Sequence, residues 1–136
     1  MTRAVWPLNH GRPGVEVELL VPGSERGQRR LLLADTGAGT ASAPFDLLLD
    51  EQDCLIAARQ AGRLIRLSGA YSGEFRSYTI GIALPQLTFS AVLTAIGVER
   101  PPRGFDGIAG FRFLDRFSYG NFGRSAQFGL EANSSG

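Results

Sequence analysis

The sequence predicts a mostly β, barrel-like domain. Short β-prone runs recur along the chain, and glycine- and proline-rich turn signals separate them. With 43% hydrophobic residues over 136 positions there is enough apolar material for one core, and no break in composition divides the chain in two.

The elements follow in order. Val15 to Val21, VEVELLV, alternates apolar and acidic residues as a half-buried strand does, and PGSERGQ turns it back into RRLLLAD. These two runs predict a hairpin that delivers Asp35 at its end. After the glycine-rich TGAGT comes SAPFDLLL, then DEQDCLIAARQA (50–61), whose acidic start, apolar middle and following Gly62 predict a short helix. The clearest hairpin is RLIRLSGAYSGEFRSYTIGIAL (63–84), with β-prone runs on both sides of Gly69 to Gly73 and polar residues alternating on the return. LTFSAVLTAIG reads as a further strand and ERPPRGFDG as a loop. IAGFRFLDRF reads as a buried strand end turning into a helix of about two turns. AQFGLE is the last strand, and flexible ends are expected over residues 1–13 and 131–136 of a single domain.

Composition excludes several functions. The net charge is +1 with the signs interspersed, so there is no footprint for nucleic acid or a membrane surface. All the basic residues are arginines, scattered rather than clustered, which reads as codon bias. A lone cysteine, Cys54, excludes an intrachain disulfide framework, and a lone histidine, His10, argues against zinc. Asp46, Asp50, Glu51 and Asp53 lack the spacing of a calcium-binding loop and read as a solvated acidic helix start. No metal and no cofactor are expected. The first residues lack an apolar signal core, and no apolar run approaches the roughly 20 residues that span a bilayer. The expected setting is soluble, reducing and cytoplasmic.

One stretch demands an explanation. LLLADTGAGT drives three leucines and an alanine into Asp35, and a carboxylate at the end of an apolar strand is costly unless something compensates it or shares its charge. Asp35-Thr36-Gly37, a glycine-flanked hairpin, and the segment GIAGFRFLDRF (107–117) follow one another in the chain. In that order and spacing the chain resembles the retroviral-type (retropepsin-like) aspartic proteases, over roughly Val15 to Leu130. The resemblance implies an all-β, closed barrel-like acid-protease fold with one or two short helices and a flap hairpin. It also implies an aspartic endopeptidase. In that family two carboxyls about 3 Å apart share one proton, so one ionised aspartate deprotonates water while the other hydrogen-bonds the scissile carbonyl. No second Asp-Thr-Gly or Asp-Ser-Gly occurs, so the dyad would join two copies of Asp35 across the axis of a homodimer.

The resemblance assigns roles to the neighbours. Thr36 would lock the two loops across the axis, and Gly37 would let an N–H approach the carboxylate. Gly110 would sit behind the active-site loop where a Cβ would collide with it, with Phe111, Phe113 and Leu114 packed beneath. The tip Gly69, Ala70, Tyr71, Ser72 and Gly73 would close as a flap over an extended peptide, which Ala38, Gly39 and Ile108 would also contact. Tyr71 is a candidate for the active-site hydrogen-bond network. At Gly39 the family usually carries Ser, Asn or Asp, which brace the loop or bind substrate backbone; here that is done otherwise, with Thr40 a candidate, or is not done, which leans toward a module without turnover. Residues 42–62 are longer and more apolar than a minimal enzyme of this type needs. A second reading keeps the fold without turnover, as a dimeric peptide-binding or scaffolding module in which the peptide adds a strand. A third is a protease domain that processes only its own, longer precursor. DTGAGT also resembles the anion loop of ribokinase-like sugar kinases, but it drops one residue, puts Thr40 in the place of the catalytic aspartate, and lies in too short a chain.

Overall fold

Strands buried on both faces carry unbroken apolar runs, whereas strands with one wet face alternate. Both kinds occur here, and their placement fixes where the site sits. The computed structural model describes residues 2–132. Strand β2 (Gly14–Leu20) alternates as the sequence predicts, with Val15, Val17 and Leu19 buried and Glu16 and Glu18 turned outward. It pairs antiparallel with β3 (Gly27–Ala34), so that Val15 lies opposite Leu32. By contrast, β3 ends in a run of buried residues and β4 (Leu47–Asp50) opens with one. Leu32, Leu47 and Leu49 enter the main core, while Leu33 and Leu48 enter a second cluster with Phe45, Ile65 and Ile108 on the other face. Over Leu32–Ala34 and Leu47–Leu49 the side chains of both faces are buried, which explains the apolar approach to Asp35.

Helix α1 (Glu51–Ala57) follows β4 and is capped by Asp50, whose Oδ1 accepts the Gln52 N–H at 2.8 Å. Strands β5 (Ala58–Leu67) and β6 (Gly73–Leu84) form the long hairpin. A single 3-10 turn at Pro85–Leu87 leads into β7 (Phe89–Val98), and β8 (Gly107–Ala109) runs into α2 (Phe111–Leu114). The order β2-β3-β8-β4-β7-β6 closes through a β2–β6 pairing into a six-stranded barrel, and β5 lies outside it against β6. The architecture is thus all-β, with a closed barrel and two short helices. A separate three-stranded sheet joins β1 (Arg3–Pro7), β10 (Gln127–Ala132) and β9 (Phe117–Gly120), in the order β1-β10-β9. Ala4, Trp6, Phe117 and Leu130 seal this sheet onto the main core.

Three expectations need correction. The helix expected over 50–61 ends at Ala57, because the Ala58 N–H closes the last turn on the Cys54 carbonyl and the chain then turns extended. Ala58, Gln60 and Ala61 pair with Ile80, Thr79 and Tyr78, and Gly62 falls at an irregularity in that ladder rather than at a helix end. The second helix is one turn rather than about two, since the chain leaves it to bury Phe117 against Phe113 and Phe89 and then forms β9. Residues 3–7, expected to belong to a flexible end, are a strand in register with Gln127–Glu131. Residues 133–136 of the expected tail lie outside the described residues. Among the described residues no helix is long and apolar enough to cross a membrane.

Candidate active site

Parallel pairing of β3 with β8 brings two distant segments together. Leu33 lies opposite Ile108 and Ala34 opposite Ala109, so Asp35 and Gly110 leave the sheet side by side. The Asp35 N–H extends the ladder by one bond, to the Ala109 carbonyl at 3.0 Å. The chain then turns sharply. Ala38 N–H donates to the Asp35 carbonyl at 3.1 Å, and Gly37 N–H donates to Asp35 Oδ1 at 2.9 Å. Asp35 is half-buried and Thr36 exposed. Among the described residues, the Gly37 N–H is the one group bonded to this carboxylate.

A second set of bonds pins the loop from behind. Gly110 N–H donates to the Asp46 carbonyl and Phe111 N–H to the Ala38 carbonyl, both at 2.9 Å. A Cβ on Gly110 would lie 2.8 Å from the Ala38 oxygen and 3.0 Å from the Asp46 oxygen. Only glycine lets these segments approach so closely. Asp46 is itself a brace. Its side chain is 1% exposed; Oδ2 accepts the Thr94 N–H at 3.1 Å, and Oδ1 lies 3.1 Å from Arg116 and 3.5 Å from Arg112. Arg112 also donates to the Ala43 carbonyl at 2.8 Å, which ties the 40s loop to α2. The acidic residues read as one helix start therefore have separate partners: Asp46 these two arginines, Asp50 the helix cap, and Asp53 the Nε and Nη2 of Arg30, both at 2.8 Å.

Gly39 has a local explanation. Its φ is +83°, and a Cβ there would meet Ala43 Cβ at 3.0 Å and the Phe45 ring at 3.1 Å. Backbone handedness and a ring beneath the loop both demand glycine.

Two adjoining cavities of about 970 and 680 Å³ share Asp35, Ala70, Tyr71 and Ile108 in their walls. The smaller has a more apolar wall, formed by Ala38, Gly39, Ala43, Phe45, Leu48 and Leu67, with Arg66, Thr40 and Ser42 also lining it, and it reaches Gly37 and Gly69. The larger is charged: Arg12, Arg76, Arg100, Glu51, Glu74 and Glu99 line it, and so does Ser72. Gly73 and Thr36 line neither. Tyr71 hydrogen-bonds away from Asp35, its hydroxyl donating to the Arg100 carbonyl at 2.7 Å, and burial pushes its phenol pKa upward. Phe45, Leu48, Leu67 and the arginines are wall residues that the sequence did not mark. An apolar lining residue has the same sequence signature as a core residue, and Arg12 and Arg100 come from loops.

No family model matches the chain, and no curated protein matches it. Among solved structures the chain is similar to one described as EIAV protease complexed with the inhibitor HBY-793. That likeness has a TM-score of 0.44 and 17% identity, and covers 76% of this chain and 86% of that one.

Proposed function

We propose that this chain is one protomer of a homodimeric, retropepsin-like aspartic endopeptidase, with Asp35 as its catalytic carboxylate. The carrying observation is the position of Asp35: half-buried at the end of the buried run Leu32–Ala34, oriented by the Gly37 N–H, in the shared wall of two cavities that the tip of the β5–β6 hairpin also lines. Asp35 is the only aspartate among the described residues that lines either cavity. A second one comes from the partner's Asp35. The ionised carboxylate takes a proton from water as the oxygen attacks the scissile carbonyl carbon, while the protonated one hydrogen-bonds the carbonyl oxygen. Proton delivery to the amide nitrogen then lets the C–N bond break. Thr36, exposed and without a hydrogen-bond partner among the described residues, faces the partner loop. The hairpin tip is the flap, and Ala38, Gly39 and Ile108 contact an extended peptide. The bare Gly39, the one sequence feature that leans toward a silent binding module, is accounted for by its backbone and gives that reading no support.

The test is Asp35→Asn, which keeps the volume and cannot take the proton. Hydrolysis of casein or a peptide library falls by at least about a hundredfold while circular dichroism and sedimentation stay those of the parent. Wild-type turnover in the Asn variant removes Asp35 from the chemistry. In the parent, specific activity falls on dilution through the dimer dissociation range, and a strictly monomeric active species refutes the shared dyad.

A further inference from the structure

The hairpin tip, residues 68–72, protrudes beyond the last β5–β6 pair, Leu67 with Gly73. Four of its five residues are exposed, and Tyr71 alone is turned inward. Its ring packs on the cluster that holds Leu33 and Ile108, and its hydroxyl reaches across the groove to the Arg100 carbonyl, 29 residues away in sequence. The two sides of this contact differ in stiffness. The acceptor belongs to Arg100-Pro101-Pro102, where two pyrrolidine rings fix the backbone, and the Phe105 N–H donates to the Pro102 carbonyl at 3.0 Å. The donor sits between Gly69 (φ +93°) and Gly73 (φ +126°); a Cβ on Gly69 would meet nothing within 4 Å, and one on Gly73 only the Phe75 ring, at 3.8 Å. A movable arm is therefore fastened to a rigid post by one side-chain hydrogen bond. Tyr71 and Asp35 line the same two cavities, so this fastening crosses the groove that holds the carboxylate.

We propose that Tyr71 is a latch: the hydrogen bond from its hydroxyl to the Arg100 carbonyl holds the hairpin tip down over the groove of the unoccupied protomer, and the groove opens when this bond releases and the tip swings about Gly69 and Gly73. Any peptide entering the groove must displace the phenol from between the two cavities, whether or not it is then cut. The raised phenol pKa keeps the donor proton in place across the neutral range. Both latch atoms can find water when apart, so the bond's net contribution is that of one ordinary hydrogen bond. The open population rises roughly two- to tenfold when it is lost.

The experiment is amide hydrogen exchange on the full chain, comparing the parent with Tyr71→Phe, which keeps the ring and deletes the donor. Amides of residues 65–75 exchange about two- to tenfold faster in the Phe variant, and those of β3 and β7 keep their rates. Arg100→Ala retains the acceptor carbonyl and exchanges like the parent. Unchanged exchange across 65–75 in Tyr71→Phe overturns the latch. So does equal loosening in Arg100→Ala, because the contact would then depend on the guanidinium. The measurement uses no substrate, so its outcome is separate from the fate of Asp35 as a catalyst.

Discussion

Replacing Gly110 with alanine adds one methyl group at the point where the Asp35 loop, the 40s loop and α2 meet. The backbone at Gly110 (φ −81°, ψ 175°) is one that alanine adopts without strain, so the cost is steric. The new Cβ would stand 2.8 and 3.0 Å from the Ala38 and Asp46 carbonyl oxygens, well inside the roughly 3.3–3.6 Å of an ordinary carbon–oxygen contact. These oxygens cannot retreat freely, since they accept the Phe111 and Gly110 N–H bonds at 2.9 Å. Relief lengthens both bonds. Overpacking costs about 1–3 kcal/mol and two weakened hydrogen bonds add about 1–2, while the stiffer unfolded chain returns about 0.5–1. These terms centre on a net loss of about 3 kcal/mol, a fall in Tm of roughly 10 °C for a chain of this size. Thermal and urea unfolding followed by circular dichroism read it directly. Gly11→Ala is the contrast: φ is +75° but nothing lies within 4 Å, so only the left-handed backbone is penalised, by about 1 kcal/mol. If Gly110→Ala loses no more than about 1 kcal/mol, the loop is not pinned from behind as described.

Two further perturbations test the frame. Asp46→Ala strands the Thr94 N–H and leaves Arg112 and Arg116 without their shared carboxylate, so urea unfolding shows a loss of about 3 kcal/mol; Asp46→Asn keeps an acceptor for Thr94 and loses less, and equal losses would contradict this division of labour. Burial, aided by Asp53, Glu51 and Asp50, pushes the Cys54 thiol up to about 12, whereas the unfolded thiol titrates near 8.5. The thiol's contribution to stability is therefore complete below the unfolded value and is lost as pH rises from there through the folded one. Between pH 9 and 11 the parent loses up to about 1.4 kcal/mol per pH unit more than Cys54→Ala, measured by denaturant titration, and parallel slopes would refute the buried neutral thiol.

The legible parts of the fold were those whose signals are local. Alternation in β2, the two runs of the β5–β6 hairpin and the apolar rush into Asp35 each follow from the pattern of a few adjacent residues. The collision expected at Gly110 was legible through family resemblance, and the geometry there has the close approach that glycine permits. What escaped depends on partners far away. RAVWP carries no strand signature of its own, and β1 exists because β10 offers it a ladder from Arg3↔Glu131 to Pro7↔Gln127. Arg59, Gln60 and Ala61 favour a helix by propensity, but pairing with β6 outweighs a few tenths of a kcal/mol per residue. The added length and apolarity of residues 42–62 read from sequence only as extra core or dimer surface. These residues supply a cavity wall at Ala43 and Phe45, the barrel strand β4, helix α1 and the first residues of β5.

The β1–β10 ladder also orders events in time. Its partners lie as much as 128 residues apart, and Ala132 N–H reaches the Thr2 carbonyl at 3.0 Å. Arg3–Pro7 is synthesised before β10 and must wait, solvated and unpaired, until β10 has been made. For that interval Trp6 and Ala4, residues of the main core, face water, and the barrel beneath them lacks its lid of Leu130. A nascent chain of this kind is exposed to capture or degradation longest at its first strand, and long-range closure of this sort slows folding relative to local hairpins. Any shortening that removes Gln127–Ala132 would prolong that vulnerable interval indefinitely, leaving the opening strand with nothing to join.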